Sequence, residues 1–209
     1  MSYVVCIARG FGSGGKTIAT NLADRLGIPC YEDQILSMAS EESGLNERLF
    51  REVDERLRGS AIIRRLGQIP NHLREALPTE PAFTSDRNLF AIQARIISEL
   101  ASSESCVIVG KCADVVLANR TNVVSAFVTA PPADACARIM RQCQVDAARA
   151  RELVEKTDRY RSEYYRYYSG GHEWKDPDNW DLILNSAKVG IDRCVDVLAD
   201  YVDLKFGAR

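Results

Sequence analysis

Apolar residues in this chain gather in short unbroken runs instead of alternating with polar ones. YVVCIA (3–8), CVIVG (106–110), VVSAFVTA (123–130) and DLILN (181–185) have the length and continuity of parallel strands covered on both faces. IPCY at 28–31 is a fifth and weaker run. Between the runs lie helix-period patterns at 16–26, 33–43, 86–102, 132–142 and 190–203, and a polar stretch at 146–168. Strand alternating with helix predicts an α/β chain with a three-layer sheet architecture. Internal repeats and low-complexity segments are absent from the sequence.

Two regions break the alternation. Residues 45–85 contain the helix-like pieces LNERLFREVDERL, AIIRRLGQ and NHLREAL, no strand, and a proline-containing end, PTEPAF. They read as a helical insertion between the second and third strands. Residues 138–168 are rich in arginine and tyrosine and lack a clean apolar stripe. A helix polar nearly all round either bridges solvent or awaits a charged partner.

The first strand runs into GFGSGGKT (10–17), which satisfies G-x-x-x-x-G-K-[ST] at every defined position. Each part has a chemical reason. Gly10, Gly12, Gly14 and Gly15 let backbone N–H groups approach phosphate oxygens with no Cβ in the way, and Ser13 lies among them. The helix opening near Lys16 turns its positive end toward the same anion. Lys16 is placed to bridge the β- and γ-phosphates and the Thr17 hydroxyl to ligate Mg²⁺. Such a pattern also arises by chance. The strand before it and the striped helix after it (Ile18, Leu22, Leu26) favour a phosphate cradle.

Composition narrows the class further. The 209 residues suffice for one domain with a large core and no staples. A net charge of -2 argues against a dedicated nucleic-acid binder. The seven cysteines, Cys6, Cys30, Cys106, Cys112, Cys136, Cys143 and Cys194, form no CxxC pair, and only His72 and His172 are available to complete a zinc site. Scattered free thiols suit a reducing compartment. The first residues lack the layout of a secretory signal, and no apolar run approaches a membrane span. The expectation is a cytoplasmic protein with no membrane partner.

LGIPCYEDQIL (26–36), AIQARIISELASSESCVIVGKCADVVL (91–117), VEKTDRYRSEYYRYYSGGHEW (154–174) and NWDLILNSAKVG (179–190) follow the glycine loop in order. Together with the loop they resemble the cytidylate-kinase-like family of P-loop nucleoside monophosphate kinases. The resemblance covers most of the chain and is weakest at 45–85. It implies a P-loop NTPase fold over 1–209 with a five-stranded parallel sheet. It also implies a helical acceptor-binding insert within 31–90 and an arginine-bearing lid at 142–170. ATP and Mg²⁺ are the implied cofactors and nucleotides the implied partners, with the oligomeric state left open.

The lid's TDRYR matches the family pattern D-R-x-R with Asp158, Arg159 and Arg161. Spaced by two, the arginines cannot share a helix face. One is expected at the migrating phosphoryl, where a guanidinium is worth about 10³ to 10⁵ in rate in related chemistry, and the other on Asp158 or Glu155. A solvated charge run is the plainer alternative. Arg138 and Arg141, on the helix entering the lid, are candidates for adenine stacking or phosphate contact against simple solvation. The tyrosines at 160, 164, 165, 167 and 168 are expected mainly to pack the lid, and His172 and Trp174 to be structural.

The chain also departs from the family. The acid that nucleoside monophosphate kinases carry at the end of the third strand is missing, because that strand ends Val109-Gly110. The family's Gly-Arg pair, whose arginine holds the acceptor phosphate, reads Gly110-Lys111, which keeps the charge and loses the fork. The family's Tyr-Asp after the second strand reads Tyr31-Glu32-Asp33. Glu32 or Asp33 either serves the acceptor or metal-bound water, or is an ordinary helix N-terminal acid. Arg87, Gln93 and Arg95 are further acceptor candidates. Asn185 or Ser186, at the carboxyl end of the last strand, either touches the adenine edge or forms a turn.

The expected activity is ATP-dependent phosphoryl transfer to a nucleoside monophosphate, with CMP or dCMP implied by the resemblance. A kinase of another small metabolite and a non-catalytic ATP-sensing module remain as alternatives.

Overall fold

The computed structural model describes residues 2–55 and 86–207. Five parallel strands, β1 (Val4–Arg9), β2 (Cys30–Tyr31), β3 (Cys106–Val109), β4 (Val123–Thr129) and β5 (Leu182–Asn185), form one sheet in the order β2-β3-β1-β4-β5. The helices are α1 (Gly15–Leu26), α2 (Gln34–Ser43), α3 (Glu47–Glu55), α4 (Asp86–Ser103), α5 (Ala113–Val116), α6 (Pro132–Cys143), α7 (Ala147–Tyr168), α8 (Ser186–Val189) and α9 (Ile191–Phe206). The predicted three-layer sheet is therefore present.

The sheet explains the unbroken apolar runs. In β1, Val4, Cys6 and Ala8 join the core beneath α2 and α4, while Val5 and Ile7 join the core beneath α1 and α9. A strand at the centre of such a sheet meets apolar neighbours on both faces, so period-two alternation vanishes. IPCY is weak for the opposite reason. Only Cys30 and Tyr31 pair, on the sheet edge, and both are half-buried.

Of the expected insert, α3 covers part of the first piece, whereas AIIRRLGQ, NHLREAL and PTEPAF lie outside the described residues. Two short helices were not anticipated. One is α8, which Asn185 caps by accepting from the Ala187 and Lys188 amides at 3.2 and 3.3 Å. The other is α5, which follows a left-handed turn at Gly110, Lys111 and Cys112.

The polar stretch becomes α7, and its partner is the glycine loop. Ala150, Val154, Tyr164 and Tyr165 are buried along it. Asp158 and Arg161 fall between them at helical spacing and turn to the loop instead of the core. A charged pair set within an apolar stripe is what hid the periodicity. Tyr164 and Tyr168 pack around Phe90 of α4, with the Phe90 and Tyr168 ring centroids 3.8 Å apart. Tyr165 lies against Trp180.

Candidate functional site

β1 ends at Arg9, and the chain must turn sharply before α1 can begin. Gly12 makes the turn with φ 76°, and a Cβ there would lie 2.6 Å from the Ala135 carbonyl oxygen of α6. The loop's carbonyls are engaged by the surrounding protein. Arg138 Nη1 donates to the Gly12 oxygen, and Ser186 Oγ donates to the Ser13 oxygen at 2.5 Å. The Ser13 amide donates to the Gly10 oxygen at 3.1 Å. This leaves the amides of Gly12, Gly14, Lys16 and Thr17 without a backbone or side-chain acceptor among the described residues. Converging unpaired donors at a helix N-terminus form a nest for an anion. The loop therefore fits a triphosphate.

α7 is tied to the loop at two points. Asp158 Oδ1 accepts from the Phe11 amide at 2.6 Å, and Arg161 Nη1 donates to the Arg9 carbonyl at 3.0 Å. The Arg161 guanidinium also lies over the Phe11 ring, 5.5 Å from its centroid. Burial pushes the Asp158 carboxyl above its ordinary value, against the pull of the Phe11 amide and the nearby Lys175, Arg161 and Arg9 charges. Arg159 faces solvent on α7, outside the lining of the adjoining cavity. Arg141 is exposed as well.

Lys16 reaches from the loop to Glu32, which follows β2, with Nζ 2.5 Å from Oε2. The other oxygen of Glu32 accepts from Arg9 Nη2 at 2.9 Å. Burial alone would raise the Glu32 pKa. The hydrogen bond from Lys16 and the charges of Arg9, Lys16 and Lys111 outweigh it, and the carboxyl stays below its usual range. Asp33 sits further out, 55% exposed, with Arg51 Nη1 at 3.8 Å.

A cavity of about 550 Å³ opens beside this cluster, at the carboxyl ends of β1, β2 and β3 and beneath α7. Ligands of open α/β sheets bind at this end of the strands. Its charged lining comprises Arg9, Glu32, Asp33, Lys111, Asp114, Lys156 and Arg161. Lys111 is only 5% exposed and has φ 59°. Asp114, in the first turn of α5, accepts from the Tyr165 hydroxyl at 2.9 Å. Burial pushes its carboxyl up to about 6, while that bond and the first-turn amides pull the other way.

The sequence candidates thus divide. The loop glycines, Ser13, Lys16, Thr17, Glu32, Asp158, Arg161 and Arg138 are interlinked around the nest, and Lys111 and Asp33 line the cavity beside it. Asn185 spends its side-chain oxygen on capping α8, and Ser186 supports the loop. Arg87 is exposed near the start of α4, and Arg95 pairs with Glu42. Gln93 is fully buried in α4, and neither its amide oxygen nor its nitrogen has a partner among the described residues. Arg9, Asp114 and Lys156 escaped the sequence reading. Arg9 carried a signal, a cation closing a buried strand directly before the glycine loop.

Thr17 is exposed at the helix start, and the described residues hold no group of three potential metal ligands. That donor set fits Mg²⁺ carried on phosphate oxygens, which needs few protein ligands. No described helix is long and apolar enough to cross a membrane.

The model of the cytidylate kinase-like family matches residues 4–188. No curated protein matches the chain. Among solved structures, an uncharacterized protein from Eubacterium ventriosum superposes with TM-score 0.70 at 24% identity, covering 97% of this chain and 99% of its own. A shikimate kinase from Acinetobacter baumannii, in complex with shikimate, gives 0.52 at 11% identity, with 99% and 96% covered. A sugar kinase from Janibacter sp. gives 0.55 at 13% identity, with 100% and 98% covered. At these identities the likeness establishes the fold.

Proposed function

The chain belongs to the cytidylate kinase-like family, and from that premise we propose that it transfers the γ-phosphoryl of ATP to a nucleoside monophosphate, CMP or dCMP foremost. The observation that carries the reading is the adjacency of two sites. A nest of loop amides without protein acceptors among the described residues lies beside a cavity whose wall holds Arg9, Lys111, Lys156 and Arg161.

Each residue then has a task. The loop amides and Lys16 bind the donor phosphates, so Lys16 must exchange Glu32 for a phosphate oxygen. Arg161, fixed to the Arg9 carbonyl, stands between the nest and the cavity, where a guanidinium offsets charge on the migrating group. Asp158 and Arg161 hold α7 over the loop, and a covered site keeps water from taking the phosphoryl. Thr17 would hold Mg²⁺ directly, and Glu32 or Asp33 through water. Bound there, the ion would neutralise charge on the transferring phosphates. An acceptor phosphate oxygen is its own nucleophile, so no covalent enzyme intermediate is needed. The helical insert within 31–90 would bind the acceptor, and the lid at 142–170 would close on both nucleotides.

A kinase of a metabolite hydroxyl is the second reading, favoured by Asp114. A carboxyl on the cavity wall with a pKa near 6 suits proton removal from an alcohol. Incubation with γ-labelled ATP, Mg²⁺ and separate acceptors (CMP, dCMP, UMP, AMP, cytidine and a sugar panel) decides between them. Label in CDP or dCDP supports the first reading. Label only in a hydroxyl acceptor supports the second, and nucleotide binding with no transfer would leave an ATP-sensing module.

A further inference from the structure

Position 111 is lysine, so the turn after β3 offers no guanidinium to the cavity. A guanidinium nevertheless lies against that turn, and it comes from β1. Arg9 is 15% exposed at its side chain and lines the cavity. Its guanidinium crosses the α-carbon of Gly110 so closely that any Cβ there would collide with Nη1. The turn itself is strained to suit. Gly110, Lys111 and Cys112 have φ of 73°, 59° and 51°. A left-handed conformation costs a residue with a Cβ about 1–2 kcal/mol, and two of these three carry one. The turn keeps Lys111 nearly buried while leaving it on the cavity wall.

Glu32 is not a full counter-charge for Arg9. It is shared: one oxygen takes Arg9 and the other takes Lys16. The charge of Lys111 also bears on the same carboxylate.

We infer that Arg9 and Lys111 together hold the anionic group of the acceptor, with Arg9 supplying the planar fork that residue 111 lacks. The acceptor is accordingly an oxyanion-bearing molecule, a phosphate ester foremost. A guanidinium matches two oxygens of one such group, whereas an ammonium supplies a single charge. The inference rests on the phosphotransferase reading for its purpose, and on the geometry for the site.

The test is binding, kept separate from turnover. The nest is first filled with Mg²⁺ and a non-hydrolysable ATP analogue, and inorganic phosphate is then titrated in, with wild type expected to bind it. Arg9→Met and Lys111→Met should each weaken phosphate at least tenfold while analogue affinity stays within about threefold, a loss typical of one charge-assisted bond. Arg9→Lys keeps the charge and a partner for Glu32, and it serves should Arg9→Met fold poorly. It should still lose about threefold or more. Wild type that binds no phosphate, variants that bind it unchanged, or variants that lose analogue and phosphate in parallel each overturn the assignment. If CMP proves not to be phosphorylated while phosphate binding still depends on Arg9, the nucleotide reading fails and this site stands. If CMP is phosphorylated with an unchanged KM in Arg9→Lys, the reverse holds.

Discussion

Lys16 Nζ lies 2.5 Å from Glu32 Oε2, so the lysine of the glycine loop is already bound to an anion before any phosphate arrives. The hydrogen bond and charge of Glu32 hold the ammonium above its ordinary pKa. Nucleotide binding is therefore an exchange of one oxyanion for another at Lys16.

Lys16→Met separates binding from folding. The side chain is 68% exposed, so the melting temperature should move by no more than about 2 °C, as for surface substitutions. Affinity for an ATP analogue should fall about tenfold or more, the worth of a hydrogen bond to a charged group. Calorimetric titration beside a thermal melt checks both.

Asp158 tethers α7 to the loop through the Phe11 amide at 2.6 Å. Asp158→Asn retains an acceptor oxygen and removes a negative charge beside the nest, so analogue affinity should hold or rise. Asp158→Ala strands the amide at a cost of about 1–3 kcal/mol and should speed hydrogen exchange at Phe11. Equal exchange in both variants would contradict the tether.

Asp114 sets a pH dependence of stability. Its folded pKa, about 6, exceeds the ordinary 3.8, so the native state binds the proton more tightly than the unfolded chain. This contribution grows as pH falls from above 6 toward 4, and it is lost as pH rises through 6. Between pH 7.5 and pH 5 wild type should gain about 1 kcal/mol from this group. Asp114→Asn should lack that increment in urea titrations at the two pH values.

Gln93 presents a trade between stability and function. Its buried amide has no partner among the described residues, and an unmet buried amide costs about 1–3 kcal/mol. Gln93→Met should raise the melting temperature. If the amide serves the acceptor, as its place among the sequence candidates suggests, the acceptor's KM rises as well. An unchanged KM with a higher melting temperature would make Gln93 a packing residue only.

What was legible in the sequence had short range or strong periodicity. The glycine loop is contiguous, and β1, β3 and β4 announce themselves through runs buried on both faces. The helix α7 was harder, because Asp158 and Arg161 interrupt its apolar stripe and turn to the loop. The choice between Arg159 and Arg161 needed the position of α7, since spacing shows only that they diverge. Arg9 and Asp114 became visible through contacts made 23 and 51 residues away along the chain, with Glu32 and Tyr165. No local pattern encodes such contacts. The same holds for the left-handed turn at Lys111, where only Gly110 hints at a positive φ.

The most direct measurement is ³¹P NMR of the protein mixed with ATP, Mg²⁺ and CMP. The account predicts that the γ-phosphoryl signal of ATP declines while the two resonances of CDP and those of ADP grow in step, and that Arg161→Ala slows this greatly with little loss of ATP affinity. An ATP spectrum unchanged by CMP and protein, or γ-phosphoryl appearing only as inorganic phosphate, would contradict it.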